Sequence, residues 1–439
     1  GMLAATGFAS ANEDLLARVA QLENEVRTLR GSDAALDEAR AAEIRSLVAD
    51  VLSDADSRGS LLQSGQTAGW DGNGFFLGSS DGNFSLRINA VAQVRFIASL
   101  QDNSPAGAGG DNSRYGFENN RTNFAFSGNI VDPSWLYRME FEFGDSGTAT
   151  LLDAYFAKKV NDNLTIGAGQ VKVPMLRETL VSDDKVQGVA RSVVEQEFGA
   201  GRTQGVIAYY NTDQVKFTGA ISDGHGDLGG SNQPWSNADT DLSVTGRVEY
   251  LAMGDWGQFA DITSSPNADE MGLMIGGTVH WQNGESGTTA NEVEALQWTV
   301  DASLEGQGWN VFAYVVGRDL DNDGGGVDLS QMAFVVQGGV YLNDNWELFG
   351  RYEWADLDVA GAEDLNIFTI GATNYISGHN LKFTADVGYA LDPIPAAFQT
   401  GGLANGSAST GSGSRVGWRE DAAGEDGQLV LRAQMQVAF

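Results

Sequence analysis

Gln428-Leu-Val-Leu-Arg-Ala-Gln-Met-Gln-Val-Ala-Phe439 is the stretch of this chain that decides the fold. Counted back from Phe439, every second residue is apolar, and the residues between them are mostly amides or charged. Successive side chains of a β-strand point to opposite faces, so the pattern predicts a strand with an apolar medium on one side and water on the other. A last strand that ends in Phe is typical of outer-membrane barrels. The alternative is an edge strand of a soluble sheet.

The composition also favours strands over helices as membrane segments. The chain has 439 residues and is 42% hydrophobic, and it contains no run near the ~18 apolar residues that a spanning helix needs. Strands that cross a bilayer must close into a barrel, because lipid leaves no partner for an unpaired backbone group. The formal charge of −33 argues against nucleic-acid binding, which requires basic clusters.

From residue 84 onward the sequence alternates with a period of two. In the segment 135–144, for example, Trp135 and Tyr137 share one face, opposite Arg138 and Glu140. Sixteen such segments are predicted, near 84–99, 115–130, 135–144, 149–160, 164–171, 203–210, 215–222, 242–251, 271–281, 294–304, 309–318, 330–342, 345–354, 364–376, 379–391 and 428–439. Bacterial single-chain barrels have an even number of strands, which this count satisfies.

The connections between these segments alternate in length. The tight turns are 131–134, 161–163, 211–214, 305–308, 343–344 and 377–378, and the long connections are 100–114, 172–202, 223–241, 282–293, 319–329, 355–363 and 392–427. Short turns on one rim and long loops on the other are typical of a membrane barrel. The connection 252–270 is the exception, and hidden extra strands are one explanation for its length. We therefore predict an all-β membrane protein, with a 16-stranded antiparallel transmembrane β-barrel over 84–439 and both barrel ends on the short-turn, periplasmic rim.

Residues 1–58 carry a different repeat. Its heptad positions are Leu15, Val19, Leu22, Val26, Leu29 and Leu36. Such a seam needs partner helices, so it predicts an α-helical coiled coil that joins protomers in the periplasm. The alternative is a single amphipathic helix on a globular surface. Residues 59–83 are rich in Gly, Ser and Asn and are predicted to be a linker.

A barrel of sixteen strands is too wide for its own side chains to fill, so it predicts a water channel unless something plugs it. The residues predicted to line the pore or its constriction are Arg87, Arg95, Arg138, Glu140, Glu142, Lys172, Arg177, Lys185, Arg191, Arg202, Arg247, Arg351, Lys382 and Arg432. The loop 172–202 is the candidate constriction, with an external lid as the alternative. Opposite charges create a transverse field or satisfy one another across strands, and both can hold at once.

Two further features bear on metals and catalysis. Asp319-Leu-Asp-Asn-Asp323-Gly324 resembles the opening of a calcium loop, which predicts a weak structural Ca²⁺ site at Asp319, Asp321 and Asp323. Position twelve is Ser330, so an EF-hand proper is not predicted, and a solvated acidic loop is the alternative. No enzyme is predicted, because the three histidines lie in no recognisable Ser/His pattern. No cofactor is required.

Two motifs carry a family resemblance. Gly169-Gln-Val-Lys-Val-Pro174 closes the fifth segment, and Gly74-Phe-Phe-Leu-Gly-Ser-Ser-Asp-Gly-Asn-Phe-Ser-Leu-Arg87 leads into the first. Over roughly residues 70–439 the chain resembles the phosphate-selective porin O and P family of bacterial outer membranes. The resemblance implies a sixteen-stranded trimeric porin, with an inward third long loop and basic residues that draw anions through. The chain departs from that pattern in having six lysines and carboxylates beside its arginines. The coiled coil is also an addition to the family core.

The sequence thus predicts an outer-membrane porin for passive diffusion of small hydrophilic solutes or ions. We expect outer-membrane lipid around the barrel, three protomers, and the N-terminal coiled coil in the periplasm. The alternative function is structural: a barrel that anchors a coiled coil, which binds cell-wall components and tethers or spaces the membrane from the wall. Single-channel conductance separates the two, because a plugged anchor would conduct nothing.

Overall fold

The computed structural model describes most of the barrel region and a short part of the N-terminal region. The described residues are 17–25, 27, 66–72, 74–102, 112–143, 149–224, 240–264, 270–285, 292–323, 327–395, 417–421 and 427–439. Within these ranges no helix has the length and apolar character to span a membrane. The contacts divide the chain into two units, Gly1–Thr67 and Ala68–Phe439.

Eighteen strands are described in chain order. They are β1 (Gln66–Trp70), β2 (Phe75–Ser79), β3 (Ser85–Leu100), β4 (Ser113–Asn129), β5 (Trp135–Phe143), β6 (Ala149–Lys159), β7 (Leu164–Lys172), β8 (Arg202–Asn211), β9 (Val215–Ser222), β10 (Thr240–Met253), β11 (Gly272–Glu285), β12 (Glu292–Gly306), β13 (Trp309–Asp323), β14 (Leu329–Tyr341), β15 (Trp346–Asp356), β16 (Leu365–Ser377), β17 (Leu381–Ala390) and β18 (Leu429–Ala438). From β3 to β18 each strand pairs antiparallel with the next, and β18 pairs with β3. The predicted closed barrel of sixteen antiparallel strands is therefore confirmed.

The two faces of β18 differ as the sequence predicts. Arg432, Gln434 and Gln436 lie on the inner face and are at most 3% exposed. Leu431 and Met435 lie on the outer face and are 41% and 43% exposed. Large apolar side chains exposed along the outer face of a closed barrel match a hydrocarbon surrounding rather than water.

Residues 59–83, predicted to be a linker, contain the short strands β1 and β2, which pair with each other. β2 also pairs with the first residues of β3, from Phe75 opposite Ile88 to Gly78 opposite Ser85. The ring of Phe75 contacts Phe439 edge-on, with 5.8 Å between the centroids. The N-terminal hairpin thus continues the barrel seam beyond the end of β18. The glycines around Phe75 conceal this strand in the sequence.

The described part of the N-terminal region, residues 17–25 and 27, is helical. Val19 and Leu22 lie on it and are exposed. The other predicted seam positions, Leu15, Val26, Leu29 and Leu36, lie outside the described residues. One short helix does not support a coiled coil over 1–58, so the coiled coil, its trimer contacts and its cell-wall partner remain predictions.

The connection between β7 and β8, residues 173–201, folds into the barrel. It contains helices Arg177–Leu180 and Val193–Phe198, and the Ser192 hydroxyl caps the second by accepting from the Glu195 amide at 2.8 Å. Its apolar residues, such as Val194 and Phe198, are fully buried in a cluster with inner-face residues of β13 to β16. This connection, called the inner loop below, therefore fills one side of the lumen.

The long connection between β10 and β11 also turns inward. Its described residues contain a short 3-10 turn, Gln258–Ala260, and, beyond one bridging pair, no strand. The Ile262 amide donates to the Lys185 carbonyl at 3.1 Å, and Arg177 donates to the Phe259 carbonyl at 2.7 Å. The extra length of this turn therefore supports the inner loop from the short-turn rim.

Candidate functional site

The lumen keeps an open cavity of about 360 Å³ between one face of the inner loop and the barrel wall that faces it. This lumenal cavity is bounded by inner faces of β3 to β9 and by the loop segment 174–184. Its charged lining residues are Arg121, Arg138, Lys172 and Arg202, with Glu140, Asp153, Asp183 and Asp184. Four cationic and four acidic side chains therefore meet at one narrow space inside the barrel.

A second cavity adjoins the first. It has a volume of about 600 Å³, shares Arg138 and Tyr155 with the lumenal cavity, and includes Asp71 and Arg87. Arg87 and Asp71 form an ion pair there. Because Arg87 lies at the start of β3, this second cavity marks a route toward the short-turn rim.

The tip of the inner loop is fixed by Asp183. Its carboxylate forms ion pairs with Arg121 of β4, at 3.2 Å, and with Arg191 of the loop, at 2.6 Å. The backbone carbonyls of Asp183 and Asp184 accept from the amide groups of Gln93 (3.4 Å) and Gln436 (3.0 Å). The tip is therefore held to β3, β4 and β18, and one face of it borders the cavity.

The opposite wall carries a ladder of charges. Asp153 of β6 accepts from the Nε atoms of Arg138 at 3.1 Å and Arg202 at 2.7 Å. The Glu140 carboxylate accepts from Arg138 Nη2 at 2.5 Å and from Asn123 at 3.2 Å. Cross-strand pairing and a transverse arrangement of charges, which the sequence allows to hold at once, occur together here.

The structure brings four of the predicted pore residues to the lumenal cavity: Arg138, Glu140, Lys172 and Arg202. Sequence reasoning missed Arg121 and Asp153, whereas Asp183 and Asp184 lie in the loop 172–202 that it predicts as the constriction. The register of β3 against β4 shifts at Gln93, and that of β5 against β6 shifts at Met139. Such shifts reverse the inward face within a strand, so simple alternation cannot place Arg121 and Asp153.

Most of the other predicted pore residues lie elsewhere. Arg95, Arg177, Arg191, Arg247, Arg351, Lys382, Arg432 and Glu142 are buried, whereas Lys185 is partly exposed. The buried cations hold the interior together: Arg247 pairs with Asp301 at 2.7 Å, Arg351 with Glu353 at 2.7 Å, and Lys382 donates to the Val186 carbonyl at 2.8 Å. These groups fix the inner loop and the wall behind it rather than border the lumenal cavity.

The three aspartates of the predicted calcium loop lie on strand β13 instead of in a loop. Ser330 donates to Asp319 at 2.7 Å across the β13–β14 pair. Among the described residues, no group of three His, Cys, Asp or Glu side chains is arranged to hold a metal ion. Calcium binding by Asp319, Asp321 and Asp323 stays a prediction.

The described histidines have structural partners. His280 is fully buried, with Thr245 Oγ1 at 2.8 Å from Nδ1 and Gln282 Oε1 at 3.0 Å from Nε2. His379 lies 3.3 Å from Asp261, in the turn that supports the inner loop. His225 lies outside the described residues. Thr245 and His280 are at most 1% exposed.

The pH dependence of the loop tip follows from Asp183. Burial raises the pKa of this carboxyl, but the guanidinium groups of Arg121 and Arg191 outweigh burial and hold the pKa below its usual value. A lowered pKa stabilises the folded tip above the ordinary carboxyl range, and this contribution is lost progressively as pH falls below that range toward the lower folded-state value. We expect loop-tip amides to keep their hydrogen-exchange protection, corrected for intrinsic rates, from about pH 7 to about pH 4. Loss of protection near the ordinary pKa would contradict this.

No family model matches the chain, and a search of curated proteins found no match. Solved structures do match. The anion-selective porin from Comamonas acidovorans is 14% identical with a TM-score of 0.59, covering 81% of this chain and 99% of that one. OmpT of Vibrio cholerae, in a trimer form, is 11% identical with a TM-score of 0.53, covering 80% and 99%. The channel DcaP of Acinetobacter baumannii is 12% identical with a TM-score of 0.50, covering 83% and 99%.

At these identities the likeness shows the fold alone, and it does not confirm the narrower resemblance to the phosphate-selective O and P family. The chain has the sixteen-stranded barrel fold of bacterial outer-membrane porins.

Proposed function

We propose that this protein is an outer-membrane porin, a water-filled channel through which small hydrophilic solutes or ions diffuse passively. The observation that carries the proposal is the lumenal cavity, a charged space inside a barrel whose outer face is apolar. The inner loop and the supporting turn fill the other side of the lumen, so the route for solutes runs along β4 to β9.

The charges around this route favour polar solutes. Arg138 and Arg202 lie on the barrel wall, whereas Asp183 and Asp184 lie on the inner loop. Charges of opposite sign across a narrow space with low-dielectric walls produce a strong local field. Water and small hydrated solutes orient in such a field, whereas apolar solutes gain nothing from it.

Filling the lumenal cavity should close the channel. Thr218 of β9 lines the cavity, and its neighbour Phe217 points to the outer face and is 43% exposed. In planar bilayers we expect Thr218→Trp to reduce single-channel conductance by about half or more, because the pore lining sets conductance. Phe217→Trp, one residue away on the opposite face, should leave conductance unchanged. A wild-type protein that shows no conductance steps would overturn the proposed function.

We also propose that the protein forms a trimer in outer-membrane lipid. The outer face of β4 carries Tyr115 and Phe117, which are 75% and 81% exposed, and Phe117 contacts Phe96 of β3. An aromatic wall of this kind suits packing against another barrel. The trimer form of OmpT, which shares the fold, supports the same assembly. Native mass spectrometry from detergent should give three copies, and a monomer under mild conditions would contradict the trimer.

A further inference from the structure

In the part of the chain that the structure describes, the side chains of the lumenal cavity leave more hydrogen-bond donors than acceptors without a protein partner, although the formal charges of the cavity balance. Two of its four carboxylates accept protein hydrogen bonds on both oxygen atoms, and a third is held in two ion pairs. Glu140 accepts from Asn123 and Arg138. Asp153 accepts from Arg138 and Arg202. The carboxylate of Asp183 lies between Arg121 and Arg191.

Two arginines of the cavity, by contrast, keep N–H groups that donate to no protein acceptor in the described ranges. Within the described residues, Arg202 is engaged only through Nε, so Nη1 and Nη2 have no protein partner. Its side chain is 20% exposed. Arg138 similarly keeps Nη1, since its contacts among described residues use Nε and Nη2. Two parallel N–H groups of a guanidinium match the two oxygens of a carboxylate. The cavity therefore offers an anion a donor fork, Nη1 and Nη2 of Arg202 with Nη1 of Arg138, that the acidic residues of the cavity do not bind.

An apolar strip continues from these arginines along the cavity wall. Val171, Ile207 and Ala220 form a small buried cluster, and the rings of Tyr155 and Tyr209 pack against it. Four of these five residues, all but Ala220, line the cavity itself. Arg202 begins strand β8, whereas Ile207 and Tyr209 lie further along it toward the short-turn rim. A solute that moves down this wall meets the donor fork first and an aromatic, aliphatic surface next.

We propose that the lumenal cavity selects small organic anions in which one carboxylate is attached to a flat or aliphatic apolar body. This inference rests on the proposed channel function and names the solute class for the same route. Apolar area removed from water adds affinity that chloride or phosphate cannot gain. A space of about 360 Å³ lies at the small end of ligand sites, which restricts the body to about one ring. Benzoate is the matched probe, and acetate carries the same charge without the ring.

The test is the effect of each probe on chloride current through single channels in planar bilayers. We expect benzoate to reduce the current saturably, with an apparent affinity about tenfold higher than that of acetate. Arg202→Gln should weaken the benzoate effect about tenfold. Arg114→Gln, which removes an exposed arginine from the far end of β4, is the matched charge control and should not change it. Ile207→Thr should reduce the preference for benzoate over acetate while chloride still passes.

A substitution at Asp184 should have the opposite effect and strengthen the response to benzoate. Only one of its carboxylate oxygens accepts a hydrogen bond from a described residue, Ser182, so it is the cavity acid that most opposes an anion. Asp184→Asn should strengthen the benzoate effect, a gain that misfolding cannot mimic. Channels that conduct chloride but respond equally to benzoate and acetate would overturn the solute class and leave the porin function standing. Equal responses of Arg202→Gln and Arg114→Gln would overturn the donor fork. Absence of any channel would instead overturn the proposed function.

Discussion

Replacing Asp386 with alanine should lower the free energy of unfolding of the barrel by about 3–5 kcal/mol. Asp386 of β17 and Arg432 of β18 face each other on the inner wall, with 2.6 Å between Oδ1 and Nε and no exposure of either side chain. The second oxygen of Asp386 accepts from the Val189 amide of the inner loop at 2.9 Å. The variant leaves a buried guanidinium without its carboxylate and a buried amide without its acceptor, and both losses are costly.

Denaturant unfolding in lipid vesicles measures the change. The double variant Asp386→Ala/Arg432→Met should recover much of the stability, because it removes the buried guanidinium together with the carboxylate. Asp319→Ala, which removes an exposed carboxylate from β13, is the matched control and should change stability by less than about 1 kcal/mol. A loss as small as that of the control would show that the inner wall at β17 and β18 is wet.

The strands could be predicted because the bilayer imposes a simple rule. Each wall residue meets either lipid or the barrel interior, so β18 alternates between apolar residues and Arg432, Gln434 and Gln436. The short strand β2 was not predicted because only four of its residues pair with β3, and they lie in a Gly-rich stretch. Length and alternation are too weak a signal in a segment so short.

The filled half of the lumen could not be predicted from alternation, because the rule assumes water inside. On β13 the inner-face residues Phe312, Tyr314 and Val316 are apolar and at most 4% exposed. They pack against the inner loop, so this strand is apolar on both faces. The run from Val311 to Val316 carries that signal in the sequence. A strand apolar on both faces indicates that something other than water covers its inner side.

The predicted charged residues lie in two different environments, because the inner loop fills one side of the lumen. Arg138 and Arg202 border the lumenal cavity, whereas Arg247 and Arg351 lie behind the inner loop in buried ion pairs. All four alternate inward in the sequence. Only the path of the inner loop, fixed by contacts distant in sequence such as Arg177 with Ser303 (3.0 Å), decides which charges meet water.

We expect water to reach the barrel interior on the side of the lumenal cavity and not behind the inner loop, and thiol accessibility tests this most directly. The chain has no cysteine, so a single introduced cysteine reports its own surroundings. Thr218 and Thr299 both point inward, but Thr218 lines the lumenal cavity, whereas Thr299 is 2% exposed behind the inner loop. In lipid vesicles, a water-soluble charged methanethiosulfonate should modify Thr218→Cys quickly. It should modify Thr299→Cys at least about a hundredfold more slowly, since that reaction needs local opening of the structure.

Phe217→Cys, on the outer face beside Thr218, controls for reagent that partitions into lipid and should also stay unmodified. Fast modification of Thr218→Cys, with slow modification of Thr299→Cys and Phe217→Cys, is the predicted result. Equal rates at Thr218→Cys and Thr299→Cys, or an unreactive Thr218→Cys, would contradict a channel confined to the side of β4 to β9.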